Sequence, residues 1–536
     1  MLTSCSTRLL QSVSFSRPCL CLIVHNIQEH LNNHYDGGLL TGTLCLHLIK
    51  NALDIPNVER KYVRKAYEIL VNCVNDYIAS DACPVRVNVD TSNVSVMLAF
   101  IRGIVSTKPV CDLRGVSLHH FCMVILRAFL NSVPDVPKTF SSDRIFVLHF
   151  LKSDIMLTEV LEGLLIEFSE LSALHGEQKL NPVFATTTVG NVIKTAVVSI
   201  SMSGDAEETL NARYEGSMEL IQSAADHIVS KMIAFVDSLV ERNVGLLLCQ
   251  KVIHPKVKSY LRQRGIIFVD RIGLQLMPYV LDLTGATAVT SVLVSPSEEY
   301  IGFLNSADHR IVQNKSYLYL RQTNSFVCTL LLCAAWDEQL AELTSVTKSV
   351  VHSLYEVLKK PVLLCGGGCW QIHMASFVRH LVLEKEEEMG HKLHISRAQL
   401  MAAAESYAQS FEAVARILVP DIKDCWIDCE NWHLWQDLPD STSSLQTKCF
   451  SCKCGLIVKS DGSALNLQPL SGSGRNIQAH HQLIAGECHR RPHLIGKHSC
   501  FENLMLDSLE CVMSAIRTAA LMACTVLSIT QFVHES

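Results

Sequence analysis

The chain runs to 536 residues, of which 49% are hydrophobic and 18% charged, more than one core usually organises, so about two to four domains are expected. Its 46 basic and 52 acidic residues leave a net charge of −6, which excludes a general attraction for phosphate backbones and with it nucleic acid as a partner. No domain-length stretch combines low hydrophobicity with high charge, which excludes extensive disorder; the 22 cysteines are spread through a long apolar chain, as buried reduced thiols are, unlike those of a secreted disulfide scaffold.

The opening 28 residues contain Arg8 and Arg17, several serines and no acid before Glu29. That is the composition of a mitochondrial transit peptide, and ordinary folded chain is the competing reading. Apolar positions at Leu39, Leu44, Leu46, Leu48 and Ile49, followed by the pattern over 61–78, predict helices packed on one another. Asn93 and Asn314 head Asn-X-Ser sequons, expected to stay unused for want of a clear secretory signal.

From about Val183 the texture changes. Val197-Val-Ser-Ile200 is a short β-rich run, and over 218–242 the residues Ile221, Ala225, Ile228, Met232, Phe235 and Leu239 recur at steps of four and three, one face of a long helix. Then come a buried strand over 244–249, a turn at His254-Pro255, a short helix, Gly265, a strand over 266–269, another helix and the Thr284-Gly285 turn. Strands alternating with helices at this spacing predict an α/β layer with parallel strands.

Helical periodicity returns through Leu343, Val346, Val350, Val351, Leu354 and Leu358 and stops at Pro361. A second helical block covers 396–417, the polar tract 440–499 reads as a loop-rich insertion, and a last helix is expected over 502–531. Residues 518–533 are apolar enough for a tail anchor but fall short of the ~20 residues a span requires and include Thr525, Ser528, Thr530 and Gln531, so a buried terminal helix is expected and no membrane span. A helical start, an α/β middle and a helical end suggest that the two ends fold together.

Few residues offer chemistry. Gly366-Gly367-Gly368 follows an apolar run and precedes a helix, where its amides could face a phosphate or simply form a helix-entry turn. Asp36-Gly37-Gly38 stands before a helix, where the carboxylate could hold Mg²⁺ or make a turn. Cys449, Cys452 and Cys454, with Cys488, His489, His493, His498 and Cys500, form a store of zinc ligands whose second half has no clean ligand spacing. No GxSxG, GxxxxGK[ST], HExxH or GxGxxG run occurs.

The runs Leu246-Leu-Leu-Cys-Gln-Lys251, Val252-Ile-His-Pro255, Gly265-Ile-Ile-Phe-Val-Asp-Arg-Ile272 and Thr284-Gly-Ala286 resemble the apical domain of group II chaperonins, the family of thermosomes and the TCP-1 ring complex. Leu363-Leu-Cys-Gly-Gly-Gly-Cys369 with Gln371-Ile-His-Met374 resembles the family's equatorial glycine motif, and Val160-Leu-Glu-Gly163 the segment that opens its apical domain. Within the family, Leu248–Pro255 and Asp270–Gly273 are most like the divergent McKusick–Kaufman/Bardet–Biedl chaperonin-like branch. The resemblance implies a multi-domain α/β and α fold: an equatorial domain from 1–92 and 363–536, with the 440–499 insertion, an intermediate domain from 93–152 and 326–362, and an apical domain over 153–325.

It also implies a damaged ATPase. Active members carry GDGTT, whose carboxylate binds magnesium; here the aligned run is Asp36-Gly37-Gly38-Leu39-Leu40, with the acid displaced and two hydroxyls replaced by leucines. A second family carboxylate aligns with Cys5, and the third, which activates the attacking water, with Ser349. Neither a thiol nor a hydroxyl replaces a carboxylate ligand or base at neutral pH. ATP with Mg²⁺, the family's cofactor, is therefore expected to bind weakly at most, and no catalytic residue is assigned. The family's amino-terminal strand, first helix and Gly-Pro loop have no counterpart before Met1, as in a shortened product or an incomplete gene, and self-assembly is expected to suffer.

The implied function is a chaperonin-like assembly factor for the BBSome, a ciliary trafficking coat, working with other Bardet–Biedl chaperonin-like proteins and the TCP-1 ring complex. It implies a cytoplasmic protein at the centrosome and basal body, with BBSome subunits as clients. The competing readings are an ATP-driven ring chaperonin for general folding, a mitochondrial group I chaperonin and a zinc-dependent scaffold.

Overall fold

Apolar residues at helical spacing bury one face of each long helix, and around that burial the computed structural model forms two compact units, residues 1–126 with 336–536, and residues 127–335. The structure describes residues 2–134, 144–168, 192–204, 218–291, 297–419, 425–428, 433–436, 450–456, 458–459, 467–470, 493–494 and 504–529, with 218–225, Gln436, Leu467, Pro469 and the short strands at 450–451, 458–459 and 493–494 known by their backbone alone.

In the first unit the helix Leu509–Ser528 packs on Gly38–Leu53 and Arg60–Ala79, and Arg397–Ile417 packs on Cys369–Glu384 and on the same two helices. The stripe Val63, Tyr67, Leu70 and Val74, at steps of three and four, is fully buried, as an amphipathic helix facing a core requires. Arg397–Ile417 starts at a capping box in which Ser396 and Gln399 satisfy each other's backbone amides, fixing its first turn. Leu509–Ser528 is long and apolar enough to cross a membrane by composition, but half of it is buried within the protein.

A small sheet closes this unit, with strand order His493–Leu494, Arg86–Asn88, Val362–Cys365, Leu506–Ser508. The helix expected from 502 therefore begins only at Leu509. Leu506, Asp507 and Ser508 pair with Cys365, Leu364 and Leu363, and the Ser508 hydroxyl accepts from the Cys511 amide at 3.4 Å. The open edge of Val362–Cys365 outweighs the helical propensity of these three residues.

In the second unit a four-stranded sheet runs Ile267–Val269, Leu246–Cys249, Ile193–Val198, Ile301–Leu304, the first two pairings parallel and the last antiparallel. Strand side chains alternate between faces: Leu246 and Leu248 enter one buried cluster and Leu247 and Cys249 another, so the run reads as continuously apolar. Met232, Phe235 and Leu239 of helix Met218–Glu241 fill the second cluster, as their spacing predicts. Two three-stranded sheets complete this unit: Ile145–Leu151, Cys328–Ala334 and Glu159–Glu162, and Leu164–Glu167, Lys315–Arg321 and Ser306–Val312.

Fifteen of the eighteen described cysteines are buried, all as free thiols. Asn93 caps helix Val94–Ser106, its side chain accepting from the amides of Ser95 and Val96, so that sequon asparagine is engaged in a helix start.

Candidate functional site

Two glycine turns and one helix face carry the residues singled out by sequence. Helix Pro18–His34 ends on Tyr35 in the left-handed region, and Gly37, at φ +77°, caps the next helix, Gly38–Leu53. Asp36 is the residue between them, and it lies 3.6 Å from the Lys108 ammonium, which is itself largely buried. A β-carbon at Gly37 would stand 2.8 Å from Cys511 Sγ and 2.9 Å from His30 Nε2; side chains form this wall. Burial and the neighbouring His34 lower the His30 pKa to about 4.

The second turn, Gly366–Gly368, joins strand Val362–Cys365 to helix Cys369–Glu384, with Gly367 at φ +64° and Gly368 at φ +93°. Here the wall is main chain. A β-carbon on Gly366 would meet the Met505 carbonyl oxygen at 2.9 Å, and one on Gly367 the Lys453 carbonyl oxygen at 2.8 Å. The segment carrying Lys453 is hydrogen-bonded in place: Lys453 N donates to Leu434 O at 2.7 Å, Met505 N to Cys454 O at 3.0 Å, and Gly366 N to Met505 O at 2.9 Å. The glycines thus admit the protein's own backbone.

Helix Asp337–Lys359 contributes Glu342, Ser349 and Glu356 at seven-residue steps, about two turns apart and on one face. Ser349 is buried, and its hydroxyl has no hydrogen-bond partner among the described residues. Glu342 accepts from the Thr3 hydroxyl and the Ser4 amide, each at 2.7 Å, from the Ser4 hydroxyl, and from Arg8 at 3.0 Å. Beside it, burial and the Glu342 charge push the Cys5 thiol up to about 11, so Cys5 is a neutral thiol at physiological pH. Glu356 meets His34 Nδ1 at 2.6 Å, the Ser508 hydroxyl at 2.9 Å and His352 Nε2 at 3.4 Å. Burial raises the Glu356 pKa, but these three hydrogen bonds outweigh it and hold the carboxyl at about 2.

Asp507, which sequence reasoning missed, connects the two turns. One carboxylate oxygen accepts from Trp370 Nε1 at 2.8 Å, the other stands 3.2 Å from where a Gly366 β-carbon would be, and the Asp36 charge acts on it. Burial raises its pKa to about 6. Its signal in sequence was an acid inside an apolar stretch; the expected helix concealed it. Asp36, Gly37 and Gly38 thus share one neighbourhood with Asp507 and Gly366, and Cys5 reaches it through the charge of Lys108. Ser349 joins none of the other predicted site residues by a hydrogen bond.

Of the candidate zinc ligands, Cys449, Cys488, His489, His498 and Cys500 lie outside the described residues, as does the side chain of His493. Cys452 and Cys454 are buried beside His433, Cys365 and Cys369, partners that the tract 449–500 does not contain.

Comparison with known proteins agrees with the architecture. The profile of the TCP-1/cpn60 chaperonin family matches residues 1–424. The protein of Mus musculus named Molecular chaperone MKKS is 30% identical over 461 residues, 85% of this chain and 78% of its own length. Its Homo sapiens counterpart of the same name is 28% identical over 535 residues, 99% of this chain and 90% of its own. Thermosome subunit alpha of Sulfolobus acidocaldarius is 24% identical over 226 residues, 42% of this chain. With a family match over most of its length and the α/β and helical units described above, the chain belongs to the TCP-1/cpn60 chaperonin family, as a divergent group II member similar to Molecular chaperone MKKS.

Proposed function

We propose that this chaperonin-like chain binds client subunits and assists assembly of the BBSome without efficient ATP hydrolysis. The chaperonin-like function follows from its family and from relatives named as chaperones. The likeness of residues 248–255 and 270–273 to the Bardet–Biedl chaperonin-like branch supports the ciliary role. It also supports cytoplasmic and basal-body placement, and partnership with other chaperonin-like proteins of that branch and the TCP-1 ring complex. Residues 153–325 are proposed as the apical, client-holding domain between intermediate segments 93–152 and 326–362 and equatorial segments 1–92 and 363–536.

The observation that carries the loss of turnover is the main chain over Gly367. A nucleotide phosphate needs open amides at such a turn; the Gly366 amide is already spent on the Met505 carbonyl at 2.9 Å, and the Lys453 carbonyl, an acceptor with the wrong polarity for an anion, packs against the β-carbon side of Gly367. Glu342 and Glu356 of helix Asp337–Lys359 do not supply the missing base, and Asp507 is buried with one carboxylate oxygen taken by Trp370 Nε1 at 2.8 Å. Glu342 is saturated by four donors, and a carboxyl held at about 2, as in Glu356, is a poor proton acceptor at neutral pH. Asp36 is tied to Lys108 and is the one predicted acid that could still meet a metal.

The test is affinity purification from ciliated cells, with partners identified by mass spectrometry and ATPase activity measured on the same preparation. Recovery of BBSome subunits with no hydrolysis above a mock preparation is expected. Recovery of mitochondrial matrix proteins alone, or magnesium-dependent turnover abolished by Asp36→Ala, would overturn the reading.

A further inference from the structure

Four thiols and one imidazole converge behind the second glycine turn. Cys365 ends a strand, Cys369 begins a helix three glycines later, His433 precedes strand Leu434–Gln436, and Cys452 and Cys454 stand in the turn that covers Gly367. All five are buried, none exposed by more than 3%. Cys454 Sγ lies 3.2 Å from His433 Nδ1 and 3.3 Å from Cys452 Sγ. The donor atoms of Cys365, His433 and Cys454 fall within 4.8 Å of one another, and Cys369 interacts with both Cys452 and Cys454.

Thiols packed merely as small hydrophobes have no reason to converge from two separate stretches of chain on a buried imidazole from a third. Around zinc, with bonds of about 2.3 Å to sulfur and 2.0–2.1 Å to nitrogen, tetrahedral geometry sets ligands about 3.6–3.8 Å apart, so a small outward shift opens the centre. The main chain supplies the outer support such sites need: the Leu434 amide donates to Cys369 Sγ at 3.4 Å. Three thiols and an imidazole in a closed, buried setting match a structural zinc ion rather than the oxygen-rich sites of magnesium or calcium.

We infer that this cluster binds one structural Zn²⁺ through Cys365, Cys454 and His433, with Cys452 or Cys369 as the fourth ligand. Each coordinating thiol releases its proton to solvent as the ion enters, the imidazole binds neutral, and no electrons are exchanged. The ion then pins the turn 452–455 onto Gly366–Gly368. This site is independent of the proposed client role, and it replaces the ligand set drawn from 488–500 with residues far earlier in the chain.

The full chain, purified without chelator, should carry about one zinc per molecule by elemental analysis, released on mercurial modification of its thiols. Loaded with Co²⁺ alone, it should show visible bands of tetrahedral cobalt and a near-ultraviolet thiolate charge-transfer band. The double variant Cys365→Ser/Cys454→Ser should lose the metal, whereas Cys488→Ser/Cys500→Ser should keep it. Absence of the cobalt bands from the parent chain would overturn the inference even if the first variant fails to fold. Iron in place of zinc, a disulfide within the cluster in the freshly isolated protein, or metal lost only with Cys488 and Cys500 would overturn it equally.

Discussion

The turns at Gly37 and Gly367 are built alike and enclosed differently. Each has glycine in the left-handed region at the entrance to a helix. At Gly37 the nearest atoms are the ends of Cys511 and His30; at Gly367 they are the carbonyl group and then the β-carbon of Lys453. Side chains rotate, whereas main chain held by its own hydrogen bonds does not. The difference teaches that one glycine conformation can be kept for two reasons: at Gly37 the helix entry uses it, and at Gly367 the fold's own backbone also depends on the space.

The largest expected effect breaks that contrast directly. Gly367→Ala combines left-handed strain of about 1–2 kcal/mol with overpacking of about 1–3 kcal/mol and should lower stability by about 2–5 kcal/mol. Gly37→Ala carries the same strain but meets atoms that can move, so about 1–2 kcal/mol is expected. Urea unfolding of the two variants beside the parent measures both. Equal losses would show that the Lys453 segment yields as readily as a side chain and does not close the second turn.

Acid should weaken the first turn. His30 is buried and accepts or donates at Nδ1 to Ser514 at 3.0 Å. Facing it are His34, whose charge disfavours its protonation, Asp36 and Glu356, which favour it, and Cys511 at 4.0 Å. Its folded pKa of about 4 lies below the ordinary 6.5, so the unfolded chain takes up the proton first. This contribution is intact above pH 6.5 and is lost as pH falls to about 4, by roughly 2–3 kcal/mol. Glu356, held at about 2, adds loss below its ordinary pKa, while Asp507, raised to about 6, has the opposite sign and offsets part of the slope between its ordinary value and 6. Thermal melts from pH 7 to pH 4.5 should show the decline, and His30→Gln should flatten it; an unchanged slope in that variant would assign the acid sensitivity elsewhere.

A smaller effect sharpens the comparison. If Cys511 Sγ is what Gly37→Ala strikes, Cys511→Ala should rescue part of the loss, a coupling of about 0.5–1 kcal/mol in a double-mutant cycle. Strictly additive losses would show that the strain at Gly37 is in the backbone alone.

The α/β middle was legible because its signals are local: Leu246–Cys249 is a short apolar run between turn residues, and Phe235 and Leu239 keep a helical step. Asp36, Gly37, Gly38, Gly366, Gly367 and Gly368 could be picked out by type and by family likeness. What filled their surroundings could not. Lys453 reaches Gly367, and Met505 reaches Gly366, across long stretches of intervening chain, and no periodicity records such a meeting. The same holds for Cys365, His433 and Cys454, whose spacing matches no short metal motif because the strand Val362–Cys365 and the turn 452–455 meet through backbone bonds to Met505 and Leu434 and not through nearness in sequence. Residues 506–508 were misread as helix for a related reason, since a strand slot beside Val362–Cys365 decides their conformation.

The smallest expected effect is none. In a working chaperonin, nucleotide changes client binding only so far as it binds one conformation more tightly than another. If, as proposed, the main chain packed on Gly366 and Gly367 and a Glu356 too weak to act as base leave this chain without that differential affinity, partner recovery should be the same with and without ATP. Gly367→Asp is a poor probe of this point because any β-carbon there strikes Lys453; Asp36→Ala is cleaner, since it removes the predicted acid of the first turn and keeps every glycine of both turns. Its cost is the loss of the Lys108 partner, so its melt must match the parent before recoveries are compared. Equal recovery in all four arms, parent and variant with and without ATP, fits a constitutive holder. Release of partners by ATP from the parent but not from Asp36→Ala would show that nucleotide still enters at the first turn, and the side-chain-walled turn, not the backbone-walled one, would then be the surviving switch.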